Sequence, residues 1–359
     1  MIQLRLRSEC DRSLSPFVVR ISNGARQCRD DATLIFEKLG VLNYRAEHTE
    51  FCIRDVAPKD IAGDVLLIDP RRQIAHRLIR ARSRHNTFLI TEQCDQRCLM
   101  CSQPPKEHHQ DMFEHFLSAA RLAPLGAQIG LSGGEPLLHK QALFNFIDAA
   151  WTTRDDLSFH ILTNGQHFDE GDLPWLRSHR AQLLWGVPIY SADAAIHDEI
   201  VGKPGAFAQL SGNFSLLGLA GAALELRTVV MKQNVSGLPD LADFITRYLP
   251  FAATWAIMQM ERIGYGRMNW SHCFFDSSKE FTDLGAAIDL MSARRQSVVL
   301  YNFPLCTIPP VFRNLAAQSI SDWKQKYLPE CESCSTRIRC AGFFEWYREE
   351  DGFMGIHPQ

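Results

Sequence analysis

The sequence has no apolar run approaching the about 18 residues that a membrane-spanning helix needs, and its richest stretch, Leu216–Leu224, is too short. It has no basic excess either. Lys and Arg number 38 against 41 Asp and Glu, a net charge of −3, so a nucleic-acid or anionic-membrane partner is not expected. No block of like charge is long enough to act as an interaction tail. No internal repeat or low-complexity segment is visible. The first ten residues, Met1–Cys10, alternate apolar and polar or basic side chains and lack the continuous apolar core of a signal peptide. The expectation is a soluble, cytoplasmic protein.

What remains is an ordinary globular composition, 46% hydrophobic and 22% charged over 359 residues. At roughly 150 residues per domain this suggests two or three units. Eleven cysteines are present, and seven fall in two tight groups. In a reducing compartment clustered cysteines read as metal ligands rather than disulfides. Cys10, Cys28, Cys52 and Cys273 are scattered and read as small buried hydrophobes.

Residues 1–85 carry strand-like runs (Phe17–Ile21, Val65–Ile68), one helical pattern over Ala32–Leu39 and no chemical motif; an α+β region of unknown role is expected. From about residue 86 apolar strand candidates alternate with amphipathic helices, the pattern of a parallel sheet built from β/α units. The strands are Thr87–Thr91, Ala127–Leu131, Leu157–Leu162, Leu183–Tyr190, Leu224–Met231 and Thr254–Met260. Phe113, Phe116, Leu117 and Ala120 share one helix face; Leu143, Phe146, Ile147, Ala150 and Trp151 share another. A sixth helix, capped by Asp283, would run to about Arg295. Six such units predict a partial (β/α)6 TIM-like barrel over 86–302. A further short strand, Val298–Tyr301, leads into a Cys-rich extension over 303–359.

The first cysteine group, Cys94-Asp-Gln-Arg-Cys98-Leu-Met-Cys101, follows the first barrel strand directly. This puts three thiols at the strand's C-terminal end, where barrel folds build their sites. Three thiolates at this spacing can hold three irons of a [4Fe–4S] cube and leave the fourth open. The competing reading is a zinc site completed by His108 or His109. One β/α unit later comes Ser132-Gly133-Gly134-Glu135-Pro136, where two glycines let a ligand approach the main chain. Glu135 there is a carboxylate suited to a bound ammonium. The third strand ends in Leu162-Thr163-Asn164-Gly165, with a polar side chain for the barrel mouth.

Together these strings resemble the radical S-adenosylmethionine (SAM) superfamily over roughly Asn86 to Phe303. The resemblance implies that Cys94, Cys98 and Cys101 bind a [4Fe–4S] cluster that reductively cleaves SAM to a 5′-deoxyadenosyl radical. It also implies SAM contacts from Gly133, Gly134, Glu135, Asn164, Ser191 and Arg227. Arg227 would make the bidentate carboxylate contact that guanidinium geometry favours. Two positions depart from the usual pattern: Met100 stands where an aromatic precedes the third cysteine, and Asp95 where Asn often follows the first. Met is apolar enough to pack on adenine.

In the tail, Cys306, Cys331, Cys334 and Cys340 suffice for every iron of a second cube or for one zinc. This tail resembles the twitch and SPASM extensions of peptide-modifying radical SAM enzymes, which implies one auxiliary [4Fe–4S] cluster. The longer SPASM pattern has a further cysteine where this chain has Phe344. The strings Thr91–Pro105, Gln318–Trp323 and Pro329–Cys331 are similar to the HxsC radical SAM maturases of His-Xaa-Ser systems. That similarity implies a ribosomally made peptide substrate with His-Xaa-Ser repeats, a second radical SAM maturase as partner, and an electron donor such as flavodoxin or ferredoxin. Radical abstraction needs no particular acid or base, so no catalytic residue is assigned. Glu261, Arg262 and Tyr265 are candidates to face substrate or to form a surface loop. Two rivals stay open: a radical SAM enzyme acting on a small molecule or RNA, and a non-enzymatic zinc-binding adaptor.

Overall fold

The computed structural model describes residues 2–22, 24, 28–47 and 49–359. Three sheets organise it. The first is formed by β1 (Arg5–Cys10), β2 (Phe17–Ile21), β3 (Asp31–Lys38), β4 (Val41–Ala46), β5 (Thr49–Arg54), β6 (Val65–Asp69) and β7 (Ile74–Ile79). They close into a barrel in the order β1-β5-β4-β3-β2-β6-β7, antiparallel except where β2 meets β3. Leu6, Ile21, Leu42, Tyr44, Ile53 and Ile68 fill its interior.

The expected α+β character is therefore corrected: the helix of this region is the single turn α1 (Pro58–Ile61), and the stretch expected as helix over Ala32–Leu39 is strand through Lys38 and turn at Leu39. The reason is the turn that follows. Leu39 and Gly40 both take left-handed backbone angles, φ 52° and 74°, the geometry that folds two strands into a tight hairpin. Leu34, Ile35 and Phe36, which read as the apolar side of a helix, are exposed on the resulting β3–β4 hairpin.

The second sheet carries the chemistry. Seven parallel strands run in sequence order: β8 (Asn86–Thr91), β9 (Gln128–Gly133), β10 (Ser158–Leu162), β11 (Leu183–Pro188), β12 (Ala223–Val229), β13 (Thr254–Met258) and β14 (Val298–Tyr301). All six strands expected for the β/α units are present, and Val298–Tyr301 adds a seventh to the same sheet. The helices between them are α2 (Phe113–Arg121), α3 (Lys140–Thr153), α4 (Leu173–His179), α5 (Ala194–Val201), α6 (Ala206–Ala220), α7 (Leu238–Tyr248), the short α8 (Gly264–Met268) and α9 (Trp270–Cys273), and α10 (Thr282–Ala293). Asp283 lies inside the first turn of α10 rather than capping it; the residue ahead of the helix is Phe281.

Strand alternation divides this sheet into two faces. Phe88, Ile129, Phe159, Trp185, Leu224, Trp255 and Leu300 join one apolar core with the helices. Phe88 stacks on Phe116 of α2 with ring centroids 4.7 Å apart. The alternate residues, among them Thr91, His160, Gly186, Glu225, Arg227, Met258 and Tyr301, line the concave side.

The tail has little regular structure. Short 3₁₀ turns surround a two-residue ribbon, β15 (Gln325–Lys326) against β16 (Phe343–Phe344). Polar links dock it on the rest: Arg80 bonds Asp322 (Nη2–Oδ2 2.8 Å), Lys324 meets Glu261 at 3.4 Å, Arg262 pairs with Asp351, and the Trp270 indole donates to the Asp351 carbonyl at 2.7 Å. Glu261 and Arg262 thus hold the tail. Among the described residues no helix is long and apolar enough to cross a membrane. Of the scattered cysteines, Cys52 and Cys273 are buried as expected, while Cys10 and Cys28 are half-exposed.

Candidate active site

The loop leaving β8 is clamped on three sides. Arg97 and Leu99 donate their amides to the Val201 and Ile200 carbonyls at the end of α5, at 3.0 and 2.9 Å. Tyr265 donates its amide to the Cys101 carbonyl at 2.8 Å, and the Asn269 amide side chain reaches the Leu99 carbonyl at 2.8 Å. A Cβ on Gly264 would lie 2.5 Å from that Cys101 carbonyl oxygen, and Gly264 itself has φ 58°, so glycine is required there. Met100 points into an apolar cluster with Tyr190, Met260 and Trp270.

On this loop burial pushes the Cys94 thiol up to about 11, with the charges of Glu135, Asp95 and Cys101 adding to the effect. Burial raises Cys98 and Cys101 too, and Cys98 feels both of the other sulfurs. Three thiols within electrostatic reach resist ionising together unless positive charge sits among them, which is what iron supplies. The donor set therefore fits a metal cluster. His109, a candidate fourth zinc ligand, is engaged elsewhere: its Nδ1 lies 3.1 Å from Thr91 Oγ1 and its ring stacks on His139 at 3.7 Å. His108 is exposed. Among the described residues no three His, Cys, Asp or Glu side chains are gathered as a single-ion site.

The Gly-Gly-Glu end of β9 lies beside this loop. Gly134 donates its amide to the Thr91 carbonyl at 2.8 Å and Glu135 to the Gln93 carbonyl at 2.7 Å. The glycines are needed for that contact. A Cβ at Gly133 (φ 148°) would sit 2.0 Å from Thr91 O, and one at Gly134 2.1 Å from Gln93 O. The Glu135 carboxylate is fully buried and accepts from Leu137 N (2.8 Å), Thr163 Oγ1 (2.7 Å) and Asn164 N (2.5 Å). It fastens the end of β9 to the end of β10.

Asn164 in turn donates its side-chain amide to Asp95 Oδ1 at 2.7 Å. Asp95 also meets His167 Nε2 at 3.3 Å and bonds Lys203. Burial opposes its ionisation, but these partners outweigh burial and hold the carboxyl well below the usual range. Ser191 is buried, its hydroxyl accepting the Asp193 amide at 3.0 Å.

Arg227 sits on the concave face in a network the sequence reading missed. It bonds Glu225, its Nη2 reaches Met258 Sδ at 3.2 Å, and its guanidinium lies 5.9 Å from the Tyr301 ring centre. Tyr301 donates to Glu225 Oε2 at 3.2 Å, and His160 Nε2 lies 3.4 Å from Oε1. Gly186 makes this possible: a Cβ there would come within 2.9 Å of His160 Nε2 and 3.1 Å of Arg227 Cδ. Burial pushes Glu225 up, but His160 and Arg227 prevail and bring its carboxyl down to about 2. Burial and the Glu225 charge push Tyr301 up to about 12. The available signal was a charged or titratable residue at the inward-facing step of an otherwise apolar strand.

In the tail, Cys306, Cys331, Cys334 and Cys340 line one cavity of about 20 Å³, shared with Tyr327, Arg337 and His357. Cys340 Sγ accepts amides from Leu305 and Gly342, both at 3.3 Å; amide donors of this kind stabilise a metal-bound sulfur and tune its charge. Burial pushes Cys306 up to about 11, the charges of Cys340 and Cys331 adding to it, and burial raises Cys331 as well. The four thiols share this one cavity.

No protein-family model matches the chain. Two curated proteins are similar over less than half of it. The antilisterial bacteriocin subtilosin biosynthesis protein AlbA of Bacillus subtilis is 25% identical over 165 residues, 44% of this chain and 36% of AlbA. The AdoMet-dependent heme synthase of Methanosarcina barkeri is 31% identical over 153 residues, 41% of this chain and 42% of that enzyme. The chain thus matches less than half the length of either. Among solved structures, Streptococcus suis SuiB bound to S-adenosylmethionine superposes with a TM-score of 0.49 at 13% identity, covering 60% of this chain and 49% of SuiB. These similarities, to a bacteriocin biosynthesis protein and to an AdoMet-dependent enzyme, accompany a cysteine triplet on the loop after the first strand of a partial β/α barrel.

Proposed function

We propose that this chain is a radical SAM peptide maturase of the His-Xaa-Ser type. The observation that carries the radical SAM part is the half-buried, mutually repelling trio Cys94, Cys98 and Cys101, on the loop whose start is bonded by the backbone of Gly134 and Glu135 at the open end of the sheet. A [4Fe–4S] cluster bound there supplies the electron that splits SAM into methionine and a 5′-deoxyadenosyl radical. In this reading the main chain of Gly133 and Gly134 receives the SAM amino group, with the Glu135 carboxylate holding that backbone in place. Asn164 and Ser191, just after β10 and β11, and Arg227, within β12, would contact the nucleoside and carboxylate ends.

The peptide part is supported by the tail. Four thiols around one cavity suit an auxiliary cluster with no open iron, as in the twitch and SPASM extensions. AlbA is named for bacteriocin biosynthesis, which points the same way. A flavodoxin or ferredoxin would supply electrons, and a second maturase would share the peptide. The similarity to a heme synthase keeps a small-molecule substrate as the alternative.

The test is anaerobic incubation of the reconstituted protein with SAM, dithionite and the peptide encoded beside its gene. The expected outcome is 5′-deoxyadenosine together with a mass change in the peptide, localised by tandem mass spectrometry. No 5′-deoxyadenosine would sink the radical SAM reading. 5′-Deoxyadenosine with an unaltered peptide, and turnover of a porphyrin instead, would replace the substrate class.

A further inference from the structure

A second cleft of about 450 Å³ opens along the segment that holds the cluster loop. The loops after β12 and β13 and the docked tail form its walls. Lys232, Arg262 and Arg267 bring three cations to it, against one carboxylate, Asp351. In a chain of net charge −3 this is a local reversal of sign.

The cations are not equivalent. Arg262 is neutralised by Asp351 on one edge of its guanidinium and lies 5.7 Å from the Trp270 ring centre, yet its Nε is buried with no acceptor. Lys232 donates to a neutral group, the Ser271 carbonyl, at 2.9 Å, and has no ion-pair partner among the described residues. Arg267 has no ion-pair partner among the described residues and is exposed. Trp270 and Phe274, stacked at 4.2 Å, form an apolar floor. Two positive charges without ion-pair partners on the rim and an aromatic base together describe a donor site for a carboxylate on a partly apolar ligand.

We propose that this cleft binds an acidic side chain of the peptide substrate, outside the concave face where the chemistry takes place. The inference rests on the peptide-maturase reading and adds a recognition site to it. Two free charges are too few to track a nucleic-acid backbone, which needs many phosphate contacts, but they match one Glu or Asp flanked by apolar residues. The placement has a use. Tyr265 and Asn269 bond the backbone of the cluster loop, while Arg267 and Trp270, in the same stretch of chain, face the cleft. A peptide anchored here is held against the element that positions the three thiols.

The experiment uses three fluorescein-labelled decapeptides that differ only in a central Glu, Gln or Lys between apolar residues. Their binding to the reconstituted protein is followed by fluorescence anisotropy at low and high salt, without SAM or reductant. The Glu peptide should bind about tenfold more tightly than the Gln peptide, and the gap should shrink in high salt. Lys232→Glu/Arg267→Glu should abolish or invert that preference. Arg267→Glu alone, at a side chain with no internal contact to lose, should weaken it in a fully folded protein. No preference for Glu, a preference that survives the double variant, or equal displacement by an unrelated RNA would each overturn the proposal. Failure of the peptide-maturase reading looks different: the Glu preference stands while neither 5′-deoxyadenosine nor peptide modification appears.

Discussion

The two cysteine groups occupy opposite kinds of scaffold. The Cys94–Cys101 loop hangs from a seven-stranded parallel sheet with a continuous apolar core, and its backbone is pinned by α5, by the loop after β13 and by the end of β9. Cys306, Cys331, Cys334 and Cys340 lie in or beside 3₁₀ turns around a cavity, next to a ribbon two residues long, and the tail's apolar residues Leu328, Phe343, Tyr347 and Phe353 pack onto the cluster that holds Met100 and Trp270. The first site has a shape that exists without its ligand. The second is shaped by turns and a two-residue ribbon rather than by a sheet, so a metal group bound there would contribute folding energy as well as chemistry.

The comparison can be broken most sharply by replacing Cys94, Cys98 and Cys101 together with Ala. SAM cleavage should fall to the uncatalysed background, measured as 5′-deoxyadenosine, while the circular dichroism spectrum and the iron held by the tail remain. Loss of fold in this variant would mean that the core, too, depends on its cluster. Cys331→Ala/Cys334→Ala is the reciprocal test. Peptide modification should disappear, some uncoupled 5′-deoxyadenosine should survive, and limited proteolysis should cut beyond Phe303. Full iron content or normal peptide product would show that the tail thiols serve another purpose.

A third test probes rigidity at the first site. Gly133→Ala would place a methyl 2.0 Å from the Thr91 carbonyl oxygen at a left-handed φ, and should cost about 3 kcal/mol in urea denaturation of the metal-free protein. An unchanged midpoint would mean that the β8–β9 junction yields easily. The smallest effect is on pH. His197 in α5 is buried, its Nδ1 accepting the Tyr190 amide at 3.3 Å, and burial lowers its pKa from 6.5 to about 4. A depressed folded pKa makes the unfolded state bind the proton first. Stability is therefore intact above pH 6.5 and declines as pH falls toward 4, by at most about 3 kcal/mol. The end of α5 clamps the cluster loop, so acid should loosen that side, and His197→Leu should flatten this part of the pH profile in the metal-free protein.

Much of the sheet could be read in advance because parallel strands buried on the helix side declare themselves as apolar runs, and their helices show matching faces. Val298–Tyr301 was visible as a strand but not as a seventh sheet member, since membership depends on pairing with β13 rather than on its own residues. The β-barrel of residues 5–79 was hidden for the same reason. β1 pairs with β5 and β7, far along the chain, and nothing local records such closure. At the site, the cysteine spacing and the Gly-Gly-Glu string were legible. The reason for the glycines was not: they make room for the backbone of Thr91 and Gln93. His160, Glu225 and Tyr301 were passed over because each alone looks like an ordinary polar residue in a strand, and their meaning lies in facing one another.

The ion pairs that dock the tail also order events in time. Asp322, Lys324 and Asp351 find their partners at Arg80, Glu261 and Arg262, all of which leave the ribosome earlier. Arg80 and Asp322 are separated by 242 positions, so closing that loop carries a large entropic cost until the intervening sheet has folded and shortened the search. Docking of the tail is therefore a late step in the maturation of the chain. Because Leu328, Phe343, Tyr347 and Phe353 of the tail join Met100 in one apolar cluster against which Cys98 and Leu99 pack, the setting of the first thiols is completed only when the tail docks.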